Sequence, residues 1–199
     1  MNTKKQTATQ HLFTNKQLRT LLVPIMVEQL LSSLMGTADT MMVSNVGSAA
    51  ISAVSLVDAI NILVIQALSA LAAGGAILCS QYLGSQNLKK AKCSAEQVLF
   101  VMLVLSCSLS LLCLIFRFPL LRLIFGTVDT DVMANSQIYF FFTLLSFPFI
   151  GLYDAGASIL RAQNNTKGPM TISILSNFLN IGGNAILIFV FGMGVAGAA

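Results

Sequence analysis

Charge is scarce in this 199-residue chain: Asp, Glu, Lys and Arg make up 9% of it, against roughly 25% in soluble domains. Hydrophobic residues make up 56% and the mean hydropathy is +0.83, which excludes a water-soluble core and leaves a membrane protein. Histidine occurs once, at His11, and Cys79, Cys93, Cys107 and Cys113 never take Cys-x-x-Cys spacing, so zinc and haem chemistry have no ligand set. Gly74-Gly75 lies inside an apolar run rather than after a strand, so no phosphate-cradling loop is present. Tyr153-Asp154 matches half of an intramembrane aspartyl protease signature, but the partner Gly-x-Gly-Asp occurs nowhere. Neither an enzyme nor a cofactor is expected. The leading seventeen residues are polar and the first apolar run is too long for a signal h-region, so no cleavable signal is read and that run is expected to be retained.

What the chain has is long apolar runs. Five of them, at about 20–44, 51–80, 94–116, 135–160 and 169–192, reach the roughly 20 residues that a helix needs to cross hydrocarbon. A β-barrel would alternate apolar and polar residues, and Leu99–Leu105 and Leu109–Phe116 do not. The expectation is an all-α polytopic membrane protein in which the bilayer is the surrounding partner, with residues 1–19 as a tail and 20–199 as the helical lobe.

Lys and Arg assign a direction to the spans. Lys4, Lys5, Lys16 and Arg19 precede the first, Lys89, Lys90 and Lys92 follow the second, and Arg161 and Lys167 follow the fourth; the alternate connections hold only Arg117 and Arg122. The positive-inside rule then puts the amino terminus in the cytoplasm of the inner or plasma membrane, with the 84–93 and 161–168 loops, and the 45–50 and 117–134 loops outside. The net charge of +4 is distributed by loop rather than clustered on one face, so it is a topology signal and no nucleic-acid partner is expected.

Punctuation agrees with the spans. Pro24 and Pro169 fall where helices can begin, Gly47 and Gly84 close the first two, and Asn164-Asn165 with Gly168-Pro169 make a turn before the fifth. Pro148 lies inside the fourth span, where it should kink the helix and free a carbonyl about one turn earlier. Arg117–Phe125, with two Arg among Phe, Leu and Ile, reads as a short interfacial helix.

Acids inside the spans are the candidate functional residues, because an ionisable group at mid-membrane costs roughly 2.5–3.5 kcal/mol even on lenient insertion scales. Glu28 and Asp39 stand eleven residues apart, three turns plus about 20°, on one stripe of the first helix and about 16 Å apart along it. Asp58 shares a face with Asn61 and Ser69, while Asp154 is placed to reach water or Arg161. On the fifth span Ser173, Asn177, Asn180 and Asn184 fall within an arc of about 60°. Their amides suit a cation or a neighbouring carboxylate, and equally suit helix-packing contacts.

The run Met35-Gly36-Thr37-Ala38-Asp39-Thr40-Met41-Met42-Val43, with Val46-Gly47 and Ala49-Ala50, resembles the first helix and loop of the multidrug and toxic compound extrusion (MATE) family. Ser80–Gly84, Leu160-Arg161-Ala162 with Thr166–Met170, and Asn180 through Gly194–Ala199 resemble its later signatures in the right order. The resemblance implies an antiporter that exports organic cations or drugs against an inward sodium or proton gradient, built of twelve helices in two six-helix lobes. Asp39 and Asn180 match residues of the family's N-lobe cation-linked site, and a bend near Gly36 would link occupancy to alternating access. A position where the family often has Asp is here Asn184, which can coordinate but cannot titrate; exchange would then rest on Asp39, helped by Glu28 or Asp58. The chain ends at Ala199 after five spans of a six-helix N-terminal lobe, so the C-terminal lobe is expected to be missing or to lie elsewhere. A lipid-linked sugar flippase of a related branch is the rival transporter, although such cavities tend to be cationic. A non-transporting truncated membrane protein is the other alternative.

The charge asymmetry predicts labelling. In a cysteine-depleted background, Ser48→Cys should react with an impermeant external thiol reagent and Ser85→Cys should not; the reverse pattern would invert every loop assignment.

Overall fold

The computed structural model describes residues 15–126 and 128–198. Among them are the helices α1 (Asn15–Ser44), α2 (Ser48–Gly84), α3 (Leu88–Ile115), α4 (Arg117–Phe125), α5 (Thr130–Ala162), α6 (Lys167–Ala185) and α7 (Val195–Ala198), with no strand. Five are long and apolar enough to cross a membrane: α1, α2, α3, α5, and α6 with the turn that follows it. Each helix begins two to six residues before the expected span; the first ends where expected, and the third and fifth end one and two residues short of it. His11 and most of the expected 1–19 tail lie outside the described residues, and Asn15–Arg19 already belong to α1.

Parity of crossing fixes which helices run parallel. The first and fifth spans, α1 and α6, run the same way, as do α2 and α5, while α3 runs against α2 and α5. The lobe is assembled accordingly: α2, α3 and α5 pack on one another, and α1 packs chiefly along α6. Thr166 Oγ1 donates to the Thr20 carbonyl at 3.3 Å near one end of the α1/α6 pair, and Asn184 Nδ2 donates to Asp39 at 2.8 Å near the other. The sequence separations of these contacts, 146 and 145, are nearly equal, so the two helices stay in register over about 28 Å, close to the hydrocarbon thickness.

Two prolines sit inside spans. Pro24 does not open a helix as its position suggested, because α1 begins at Asn15; Pro148 lies within α5. Proline has no N–H to offer the carbonyl four residues earlier, and hydrocarbon supplies no water to take its place. In both cases a hydroxyl from another part of the fold fills the gap. Thr166, from the loop before α6, donates to Thr20, and Ser110 of α3 donates to the Leu144 carbonyl at 2.6 Å.

The loops use the expected residues. Gly47 has φ +138° in the turn between α1 and α2, a conformation that a side chain would strain. Asn164 takes a left-handed φ of 61°, and Asn165 Oδ1 accepts from the Gly168 N–H at 3.1 Å to start α6. The fifth span departs from the expected 169–192: after Gly182-Gly183 and Asn184 it widens into a π-helical turn, Ile186–Val190, and the chain leaves it through Gly192 and Gly194, both at positive φ. The short helix expected at Arg117–Phe125 is present as α4, anchored by the fully buried Leu121.

Gly151 lets α5 approach α3. A Cβ there would stand 2.8 Å from both Cβ and Oγ of Ser106, which is itself fully buried. Gly151→Ala should therefore destabilise the lobe by about 1–3 kcal/mol in thermal unfolding, and Ser106→Gly in the same chain should recover most of it. An unchanged midpoint for the single variant would mean that the helices are less tightly apposed.

Candidate functional site

Four carboxylates inside the spans, Glu28, Asp39, Asp58 and Asp154, each accept a hydrogen bond from a different helix. Asp39 of α1 accepts from Asn184 of α6, and Asn184 Nδ2 also donates to Asn180 Oδ1 at 3.2 Å. Asp58 of α2 accepts from the Tyr139 hydroxyl of α5 at 3.0 Å and, more weakly, from Asn61 at 3.4 Å. Asp154 of α5 accepts from Ser69 Oγ of α2. Glu28 of α1 accepts from Arg161 at 2.8 Å and from the Tyr153 hydroxyl at 3.0 Å, both from α5.

The structure thus divides the residues singled out in the sequence. Asp39, Asn180 and Asn184 form one chain, with Asn184 buried and Asp39 half-buried. Asn177 lies one to two turns earlier on α6, buried, donating to the Ser173 carbonyl at 2.7 Å while its Oδ1 has no hydrogen-bond partner among the described residues. That oxygen is available to a ligand, since buried polar atoms are rarely left unpaired. Asp58 belongs to the α2/α5 contact. Its neighbour Tyr139 packs in the same apolar cluster as Val43, Val54, Val57 and Ile188, which draws α1, α2, α5 and the end of α6 together at this side of the lobe.

Glu28 is not part of that group. Sharing a stripe with Asp39 does not give it the same neighbours, because Arg161 and Tyr153 reach it from α5. Asp154 takes Ser69 rather than Arg161, whose guanidinium is committed to Glu28. Gly36 lies on an open face of α1, with nothing within 4 Å of the position a Cβ would take. The shallow groove along this face is lined by Ser33, Thr37, Thr40 and Ser44. Sequence reading missed Tyr139, Tyr153 and Thr166. For the two tyrosines the usable signal was a hydroxyl on an apolar span, and for Thr166 a proline four residues after a carbonyl on another helix, but nothing local names either partner.

Helices of membrane length joined by hydrogen bonds to half-buried carboxylates define an integral membrane lobe with polar contacts between its helices. The MatE family model matches residues 24–186, and the chain belongs to that family. It is 33% identical over 181 residues to an uncharacterized transporter, YisQ, of Bacillus subtilis (strain 168), covering 88% of this chain and 39% of that protein. It is 28% identical over 191 residues to a probable multidrug resistance protein, NorM, of Thermotoga maritima, covering 92% and 40%. Among solved structures, an outward-facing multidrug resistance MATE family transporter of the MOP superfamily superposes with a TM-score of 0.85 at 26% identity, over 92% of this chain and 40% of that one. The chain spans about two fifths of the length of these relatives.

The Glu28–Arg161 pair is half sheltered, with side chains 12% and 34% exposed, whereas Lys92–Glu96 on α3 is 80% and 65% exposed. A Glu28→Gln/Arg161→Gln double-mutant cycle in chemical unfolding should give a coupling of about 1–2 kcal/mol, and the Lys92/Glu96 cycle about 0.3–0.5 kcal/mol. Equal couplings would show that α1 is not held to α5 by this contact.

Proposed function

We propose that this lobe is the N-terminal part of a cation-coupled antiporter, driven by sodium or protons, that exports organic cations or drugs across the inner or plasma membrane with its amino terminus in the cytoplasm. The single observation that carries the reading is the chain Asp39–Asn184–Asn180 across α1 and α6 inside the membrane spans. A carboxylate supplies the charge. Amide oxygens supply neutral ligands that hold a cation without adding a second charge to neutralise.

The chemistry is competition. With Asp39 ionised, its hydrogen bond from Asn184 leaves a second carboxylate oxygen, and with it the site's negative charge, for a coupling ion or for an organic cation. Occupation by one excludes the other at the same charge, which is the condition for exchange. Asn184 cannot release a proton, so a proton-driven cycle would pass through Asp39, with Asp58 across the lobe as the second acid. The polar groove of Ser33, Gly36, Thr37, Thr40 and Ser44 lies on an exposed face of α1 and would line the substrate path, with Gly36 as the point of bending. Pro148 is the corresponding weak point of α5. Glu28, bound to Arg161 and Tyr153, serves this reading as a clamp rather than an ion ligand. Alternating access then requires the second lobe as the body against which this one rocks.

In the complete transporter, Asp39→Asn should abolish ion-coupled export of an organic cation while leaving expression and thermal stability near the parent's. Export retained at more than about a tenth of the parent rate, one decade being about 1.4 kcal/mol of coupling, would move the ion site to Glu28 or Asp58.

A further inference from the structure

We propose that the edge of the lobe at α4 holds the headgroup of an anionic phospholipid between Arg117 and Arg122. These are the two basic residues at the end of the lobe away from the Lys-rich loops, where the positive-inside rule disfavours them, and the antiport reading leaves them no task. Among the described residues neither forms an ion pair, although Asp129 and Asp131 lie on the same side. Their charge is therefore not matched by an ion pair among the described residues.

Their surroundings are built for a lipid. The guanidinium carbon of Arg117 lies 4.6 Å from the Phe118 ring centre and 5.3 Å from that of Phe141. Contact with two aromatic rings holds the guanidinium by cation–π attraction, and its N–H groups remain donors for a phosphate. The open clefts at Arg117, about 340 Å³, and at Arg122, about 680 Å³, share Ala134 and Gln137 of α5 in their lining, so both arginines flank the same stretch of α5. A guanidinium fork matches phosphate oxygens two at a time. The wall of the Arg117 cleft is apolar, with Phe142 and Ile138 39% and 44% exposed, and α4 turns Leu123 outward at 84% exposure. A free phosphate has no use for that wall, whereas a phospholipid sets its phosphate at the clefts and its acyl chains along the apolar surface. Basic pockets at membrane depth recognise anionic headgroups in this way.

Native mass spectrometry of the full chain in detergent, titrated with phosphatidylglycerol, tests the site. Arg117→Gln and Arg122→Gln should each weaken the tightest-bound lipid about fivefold and the double variant about 30-fold, while Lys89→Gln/Lys90→Gln at the opposite end changes it by less than about twofold. Arg117→Lys/Arg122→Lys should recover part of the loss. If the double variant does not fold, the single variants decide. Unchanged binding in the Arg variants, or an equal loss in the Lys variant, would overturn the proposal. Displacement of the lipid by inorganic phosphate would also overturn it, assigning the two guanidiniums to a soluble anion.

Discussion

Hydrocarbon offers a buried carboxylate no hydrogen bond, and this lobe is organised around that deficit. Glu28, Asp39, Asp58 and Asp154 each sit in a span and each takes its donor from another helix: α5, α6, α5 and α2 in turn. Every one of these bonds also chooses a helix pair. Glu96 shows the contrast, since it pairs with Lys92 one turn away at the water-exposed start of α3 and decides nothing about the packing. In a soluble domain the apolar core would select the arrangement. Here the outside is as apolar as the inside, and polar contacts together with close approaches such as Gly151 on Ser106 carry more of the specificity.

The two internal prolines obey the same rule at the backbone. Pro148 leaves the Leu144 carbonyl to Ser110, and Pro24 leaves Thr20 to Thr166. The consequence for α1 is specific, because Thr166 stands in the loop that starts α6. The helix that carries Asp39 is thereby tied at both ends to the helix that carries Asn184, and its first half is tied to α5 through Glu28. Three polar ties hold α1 on its inner side, while its Gly36 face remains open. On the proposed reading, a change of charge at Asp39 alters one of those ties and biases the position of the whole helix.

Much of the fold was legible from local chemistry. Hydropathy located five spans, their parity fixed which run parallel, and a change in composition marked the short helix at Arg117–Phe125. The amide stripe of Ser173, Asn177, Asn180 and Asn184 was visible as a 3.6-residue period, and Asp39 stood out separately as an acid within a span; only the resemblance to the family put the two together. Boundaries were less legible. Helix ends run past the apolar core into polar residues such as Asn15 and Lys167, and Pro24 was misread because a proline at a plausible start looks the same as one whose carbonyl partner is supplied from elsewhere.

By itself the sequence determined that the chain crosses a membrane, which residues lie at what depth, and which side chains must be partnered there. The tertiary structure decided the partners. Glu28 and Asp39 stand within about 20° of one another on α1, yet one turns to Arg161 and Tyr153 and the other to Asn184. A helical period sets only the direction in which a side chain leaves its own axis. What it meets depends on which helix passes at that depth and how far its side chains reach, and both follow from packing across residues more than a hundred positions apart.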